Sequence, residues 1–151
     1  MEENTYASWQ KFKAFLFKNG YDADVESAYR TKELQEKIYQ KIEQDKGCEY
    51  AKEYVAKPGF SEHELGLAID VCLKKEGEWL SGFDERLEDF YHFLKENCAD
   101  FGFILRYPKG KEEITKYNYE PWHIRFVGNQ NIAHYIMDNY KTLEEYLSEE
   151  Q

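Results

Sequence analysis

Two histidines and an aspartate, His63, Asp70 and His123, are the side chains of this sequence best suited to hold a metal ion. His63 and Asp70 stand seven apart in "FSEHELGLAIDVCL", with Gly66 between them. Asp70 interrupts the apolar run Leu67, Ala68, Ile69, Val71, and a carboxylate in such a run needs a partner. If the chain turns after His63 and then enters a strand, both can face one point, and His123 on the polar face of a later strand can supply a third donor. A catalytic zinc takes three nitrogen or oxygen ligands and keeps one position open for water. Water held there ionises at about pH 7 instead of ~15.7. Glu120, three residues before His123, is the candidate to take the water's proton and pass it to a leaving amine. A regular strand would put positions 120 and 123 on opposite faces, so Pro121, which cannot continue a ladder, marks the bulge or turn that joins them. Each of these side chains taken alone reads first as a surface or hydrogen-bonded structural group, the class to which His92 and His134 are assigned.

The elements that must position these residues follow from periodicity. A first helix is predicted over residues 6–19, with Trp9, Phe12, Phe15 and Leu16 on one side and Gly20 as its stop. A short strand over 23–29 follows. Thr31 then caps a helix whose apolar stripe is Leu34, Ile38 and Ile42. Another helical turn or two falls at 49–56, ended by Pro58-Gly59. Residues 65–73 alternate, with Leu67, Ile69, Val71 and Leu73 on one face and Ala68, Asp70 and Cys72 on the other. A polar loop over 74–82 leads to a helix carrying Leu87, Phe90, Tyr91, Leu94 and Cys98. "FGFILRY" and "YEPWHIRFV" are strands, the second placing His123 and Arg125 opposite Trp122, Ile124 and Phe126. Helices at 131–139 and 142–149 close the chain, the latter with a Thr142/Glu145 capping box. The interspersed order predicts an α+β fold, a single domain over 1–151 with a small, mainly antiparallel sheet flanked by helices.

Composition bounds the partners. The sequence is 42% hydrophobic and 17% aromatic, which excludes a disordered chain. A formal charge of −10 argues against nucleic acid or an anionic membrane as partner, and an anionic substrate would need a locally positive cleft. Cys48, Cys72 and Cys98 form no CxxC pair and are read as buried free thiols. The first residues carry acids where a signal peptide needs positive charge, and no apolar run is long enough to span a bilayer. As the chain is written, a cytoplasmic monomer is expected, and an extracytoplasmic one if a leader has been removed.

Three segments resemble one family. "SEHELGLAID" matches the pattern S-x-H-x-x-G-x-A-x-D, "EPWH" matches E-x-W-H, and "SAYRTKELQ" is similar to S-x-Y-R-[ST]-x-x-x-Q. These are the patterns of the zinc D-alanyl-D-alanine carboxypeptidases of the VanY/VanXY type, the LAS peptidases, and the similarity runs from about Val25 to Gly128. The resemblance implies the LAS fold, shared with hedgehog proteins. It implies one zinc per chain on His63, Asp70 and His123, with Glu120 as general base. It adds that Arg30 polarises the scissile carbonyl and that Ser61 and Gln35 hold a substrate's terminal carboxylate. Arg106 and Arg125, in or beside these segments, read equally as part of the positive cleft and as salt-bridge partners of the chain's acids, and Trp122 reads as a wall beside the ligand strand. The implied substrate is a peptidoglycan stem peptide or precursor ending in D-Ala-D-Ala. One position departs: where VanXY-type dipeptidases carry an Asp three residues before the motif Arg, this chain has Ser27, which cannot pair with a dipeptide's ammonium as a charge. Removal of the last residue from a longer peptide is therefore expected over cleavage of free D-Ala-D-Ala. An L,D-endopeptidase of lysin type and a non-catalytic zinc-containing binding module are the other readings.

Overall fold

Antiparallel pairing with a fixed register builds the site before any side chain is considered. The computed structural model describes residues 1–150. Its elements are α1 (Glu3–Lys18), β1 (Ala23–Ser27), α2 (Lys32–Lys46), α3 (Cys48–Tyr54), β2 (Ala68–Lys75), β3 (Glu78–Leu80), α4 (Glu88–Asn97), β4 (Phe103–Tyr107), α5 (Glu112–Thr115), β5 (Glu120–Phe126), α6 (Gln130–Asp138) and α7 (Leu143–Glu149). The strands form one sheet in the order β1-β2-β5-β4, with β3 also paired to β2. Every pairing is antiparallel, as expected of the α+β class.

The sheet's two faces do different work. Ile69, Val71 and Leu73 of β2, Ile124 and Phe126 of β5 and Phe103 of β4 join Trp9, Phe12 and Leu16 of α1 and Phe90 and Leu94 of α4 in the main core. The first helix begins three residues earlier than its apolar spacing indicates because Glu2 caps it, accepting from the Thr5 N–H at 3.0 Å. On the opposite face Ile104 packs with Ala133 and Ile136 of α6 in a smaller cluster. Asp70, His123 and Arg125 share that second face, so the parity read from the sequence puts the polar set away from the main core.

Several expectations are corrected. The 74–82 segment is not a loop: β2 and β3 form a hairpin through Glu76-Gly77, with φ of 54° and 87°. Both residues adopt the left-handed region that a two-residue primed turn demands, and glutamate is an unusual choice for it. Helix α2 starts at its Thr31 cap as predicted, but its stripe is not buried. Leu34 is exposed, and the one buried residue of α2 is Gln35. This helix packs on α3 beside an open cleft, so Ile42 lines that cleft instead of entering a core. The short helix α5 lies in a stretch with no apolar periodicity. Cysteines 72 and 98 are buried, whereas Cys48 is exposed at the start of α3. His92 and His134 sit on the surface beside acids, as their structural assignment requires. The capping box of α7 is present, and among the described residues no helix is long and apolar enough to cross a membrane.

Candidate metal centre

The central pair is made by strand register. Asp70 of β2 lies directly across from His123 of β5, and Ser27 of β1 lies across from Asp70 on the other side. Neighbours across an antiparallel ladder point to the same face, which brings three residues distant in sequence into one row. His63 arrives from a 3-10 turn, Glu62–Leu65, that ends at Gly66 with φ 72°. A Cβ at that glycine would stand 2.8 Å from the Glu2 backbone nitrogen, so the tight turn between His63 and the strand requires glycine.

Hydrogen bonds fix which imidazole nitrogens face inward. His63 Nδ1 lies 2.6 Å from the Ala28 carbonyl oxygen and must donate to it, which turns Nε2 toward the site. That Nε2 is 3.2 Å from Asp70 Oδ2. Nδ1 of His123 is 3.0 Å from Asp70 Oδ1, and the two rings meet edge to face. The 3.0 Å contact lacks the angle a hydrogen bond needs, so Oδ1 is a buried carboxylate oxygen without a partner. One donor atom from each of His63, Asp70 and His123 lies within 4.8 Å of the others. Ligands about 2 Å from a tetrahedral zinc stand ~3.3 Å apart, close to the 3.2 Å and 3.0 Å that separate the Asp70 oxygens from His63 Nε2 and His123 Nδ1.

Glu120 joins them through the irregularity anticipated at Pro121. The pairs Leu105↔Ile124 and Tyr107↔Glu120 flank a register shift between β4 and β5. The bulge sets Glu120 Oε2 3.6 Å from His123 Nδ1. Burial, aided by the Asp70 and Glu62 carboxylates and opposed by His123 and Arg30, pushes the Glu120 carboxyl up to about 7. Burial alone would also raise Asp70, but the imidazoles of His123 and His63 beside it overcome it and hold that carboxyl well below the usual range. The same carboxylates, Asp70 then Glu62, raise His123 to about 10 against the opposing effect of burial. Two imidazoles, one ionised carboxylate with a spare oxygen and a second acid beside them form a donor set that fits zinc.

The other predicted residues divide into those on the cleft and those behind it. A cleft of about 490 Å³ opens over the centre, walled by Arg30, Gln35, Ser61 and Trp122. Trp122 stacks edge to face on the exposed Phe83 ring at 4.7 Å. Arg30 donates to Ser27 Oγ at 2.9 Å, Gln35 Oε1 at 3.0 Å and Asp70 Oδ2 at 2.8 Å. Two of its five N–H groups are left over. Gln35, buried, also donates to the Ala56 carbonyl at 2.8 Å, so its amide braces Arg30 and ties α2 to the segment after α3. Arg106 is the correction. It does not line the cleft but lies behind it, with Nε 2.6 Å from Glu62 and its two Nη atoms on Glu144. With so many acids in the chain, two carboxylates claim this guanidinium before a ligand can. Glu62 itself escaped sequence reasoning, although its place between Ser61 and His63 was a signal.

Comparison with known proteins decides the family. The profile of the family described as "VanY: D-alanyl-D-alanine carboxypeptidase" matches residues 1–129. The chain belongs to the VanY family. Among solved VanY-like structures, a D,D-pentapeptidase VanY point mutant from a VanB-type resistance cassette, in complex with Zn(II), superposes with a TM-score of 0.85 at 35% identity, covering 97% of this chain and 83% of that one. VanYB in complex with D-alanine-D-alanine gives 0.85 at 36%, covering 100% and 84%. The LdcB LD-carboxypeptidase, in a structure addressing peptidoglycan recognition, gives 0.84 at 38%, covering 98% and 68%. The chain spans about half the length of most of the curated relatives it matches, 46% of one and 48% of another.

Proposed function

We propose that this chain is a zinc-dependent D,D-carboxypeptidase that removes the C-terminal D-alanine from peptidoglycan stem peptides or precursors ending in D-Ala-D-Ala. The observation that carries the reading is the convergence of His63, Asp70 and His123 around the unpartnered Asp70 Oδ1, with the raised Glu120 carboxyl beside them. A structural zinc site is closed by protein ligands and needs no base. This one has three ligands, a base and a cleft, which favours catalysis over a binding module.

Zinc held by His63, Asp70 and His123 would supply Lewis acidity and a water with a pKa of about 7. Glu120, buried with its Oε2 3.6 Å from His123 Nδ1, would act as the base that accepts a proton from the attacking water and hands it to the leaving amine. Arg30 is pinned by Ser27, Gln35 and Asp70, so its remaining N–H groups are aimed without rotamer cost at the negative charge that develops on the carbonyl oxygen. Ser61, buried on the cleft wall, binds the substrate's terminal carboxylate in this reading. Ser27 is occupied by Arg30, in keeping with a preference for longer peptides over the free dipeptide.

The test is a panel of pentapeptide, tetrapeptide and free D-Ala-D-Ala incubated with zinc-loaded protein and read by mass. Loss of one alanine from the pentapeptide is expected. The similarity to LdcB favours a second reading, an L,D-carboxypeptidase, which would instead shorten the tetrapeptide and spare the pentapeptide. An internal cut points to an endopeptidase, and binding without cleavage would overturn the enzyme reading.

A further inference from the structure

Glu62, half-buried, stands one residue before a proposed zinc ligand, yet its carboxylate turns toward a different ligand. Its Oε2 lies 3.4 Å from His123 Nε2, while its Oε1 accepts from Arg106 Nε at 2.6 Å and Arg125 Nη1 at 2.8 Å. An ionised carboxylate can only accept, so Nε2 donates to Glu62 and Nδ1 is the nitrogen turned toward Asp70 and Glu120. The two arginines stand on β4 and β5, on the same face as His123. Arg106 carries the chain of contacts onward, in a bidentate pair with Glu144 on α7. Glu144 lies beyond the residues matched by the family profile.

We propose that Glu62 is the positioning residue for His123: it holds the ring by Nε2 so that Nδ1 is presented to the metal, and Arg106, Arg125 and Glu144 hold its carboxylate in place. The inference rests on the metal-site reading given above. A carboxylate behind a ligating histidine sets the ring's tautomer and orientation and raises its basicity, and losing it weakens metal binding by roughly 10–100-fold. The cost of taking this carboxylate and two guanidiniums from water is sustained by mutual pairing. Glu144 acts one link further out, on Arg106, and its effect should be smaller and of the same sign.

The experiment compares wild type, Glu62→Gln and Glu144→Gln by chelator competition for zinc, steady-state kinetics at saturating zinc, and nitrogen-edited proton spectra of the imidazoles. Glutamine keeps the shape and an acceptor oxygen but not the charge. For Glu62→Gln the zinc dissociation constant should rise by about 10–100-fold, KM should stay within about twofold, and the downfield Nε2 proton of His123 should move upfield. Glu144→Gln should weaken zinc by a few-fold. Should Glu62→Gln fail to fold, Glu144→Gln and the wild-type Nε2 proton still decide, since an absent resonance together with unchanged affinity refutes the proposal. Unchanged zinc affinity in folded Glu62→Gln overturns it, as does a raised KM with zinc affinity intact, which would make Glu62 a substrate contact. Wild-type protein that binds no zinc would instead refute the metal-site reading itself.

Discussion

Replacing Glu120 by glutamine should make the metal-free protein more stable at pH 8 while abolishing turnover of the zinc-loaded form. Glu120 is 7% exposed, so solvent does little to screen it, and its carboxyl is raised from the ordinary 4.5 to about 7, by burial first and by the Asp70 and Glu62 carboxylates. An acid whose pKa is higher folded than unfolded binds its proton more tightly in the native state. Its ionisation therefore costs nothing well below pH 4.5, and the cost grows as pH rises toward 7. At pH 8 the native carboxylate is destabilising by about 3 kcal/mol, at 1.36 kcal/mol per pKa unit, and at pH 5 by less than about 1 kcal/mol. Glutamine copies the neutral form without leaving a cavity. Urea denaturation of the metal-free proteins should then show a gain of about 3 kcal/mol at pH 8, or roughly 6–12 °C in Tm, shrinking toward pH 5. Zinc should narrow the difference, because a nearby cation offsets the carboxylate's cost. Turnover should fall by about 10²–10⁴-fold, the usual worth of a general base. A variant no more stable than wild type at pH 8 would refute the electrostatic account, and one that kept activity within tenfold would refute the assignment of the base.

Other perturbations test the rest of the assembly. Zinc must displace a proton from His123, which the carboxylates raise to about 10, so affinity should tighten about tenfold per pH unit between 7 and 9; chelator competition across that range would show it, and a flat profile would contradict it. Gly66→Ala forces a side chain into the left-handed region and onto the Glu2 backbone, and should cost about 1–3 kcal/mol together with zinc affinity, read by denaturation and metal titration. Phe12→Ala empties the centre of the main core and should cost about 3–5 kcal/mol, while activity per folded molecule stays unchanged below the lowered Tm.

Much of this protein is written in its local sequence, because local rules suffice for it. The caps at Thr31 and Thr142, the alternation around Asp70 and the ladder-breaking Pro121 each act within a few residues, and each appears in the fold where spacing indicated. The motif letters also singled out His63, Asp70, His123 and Glu120, whose types alone define a zinc-like donor set with a base. What lay beyond the sequence is long-range. The register that sets Asp70 against His123 depends on how β2 and β5 pair across more than fifty intervening positions, and nothing local encodes which oxygen of Asp70 is left without a partner. The same holds for Arg106 and Glu62. A guanidinium near motif residues looks like a substrate clamp until the fold surrounds it with Glu62 and Glu144, which arrive from a 3-10 turn and the last helix. Even the apolar stripe of α2 was visible, but whether it enters a core or lines a cleft depends on what stands opposite. Periodicity reports which side of a helix is apolar, and only the packed chain supplies, or withholds, the surface that would cover it.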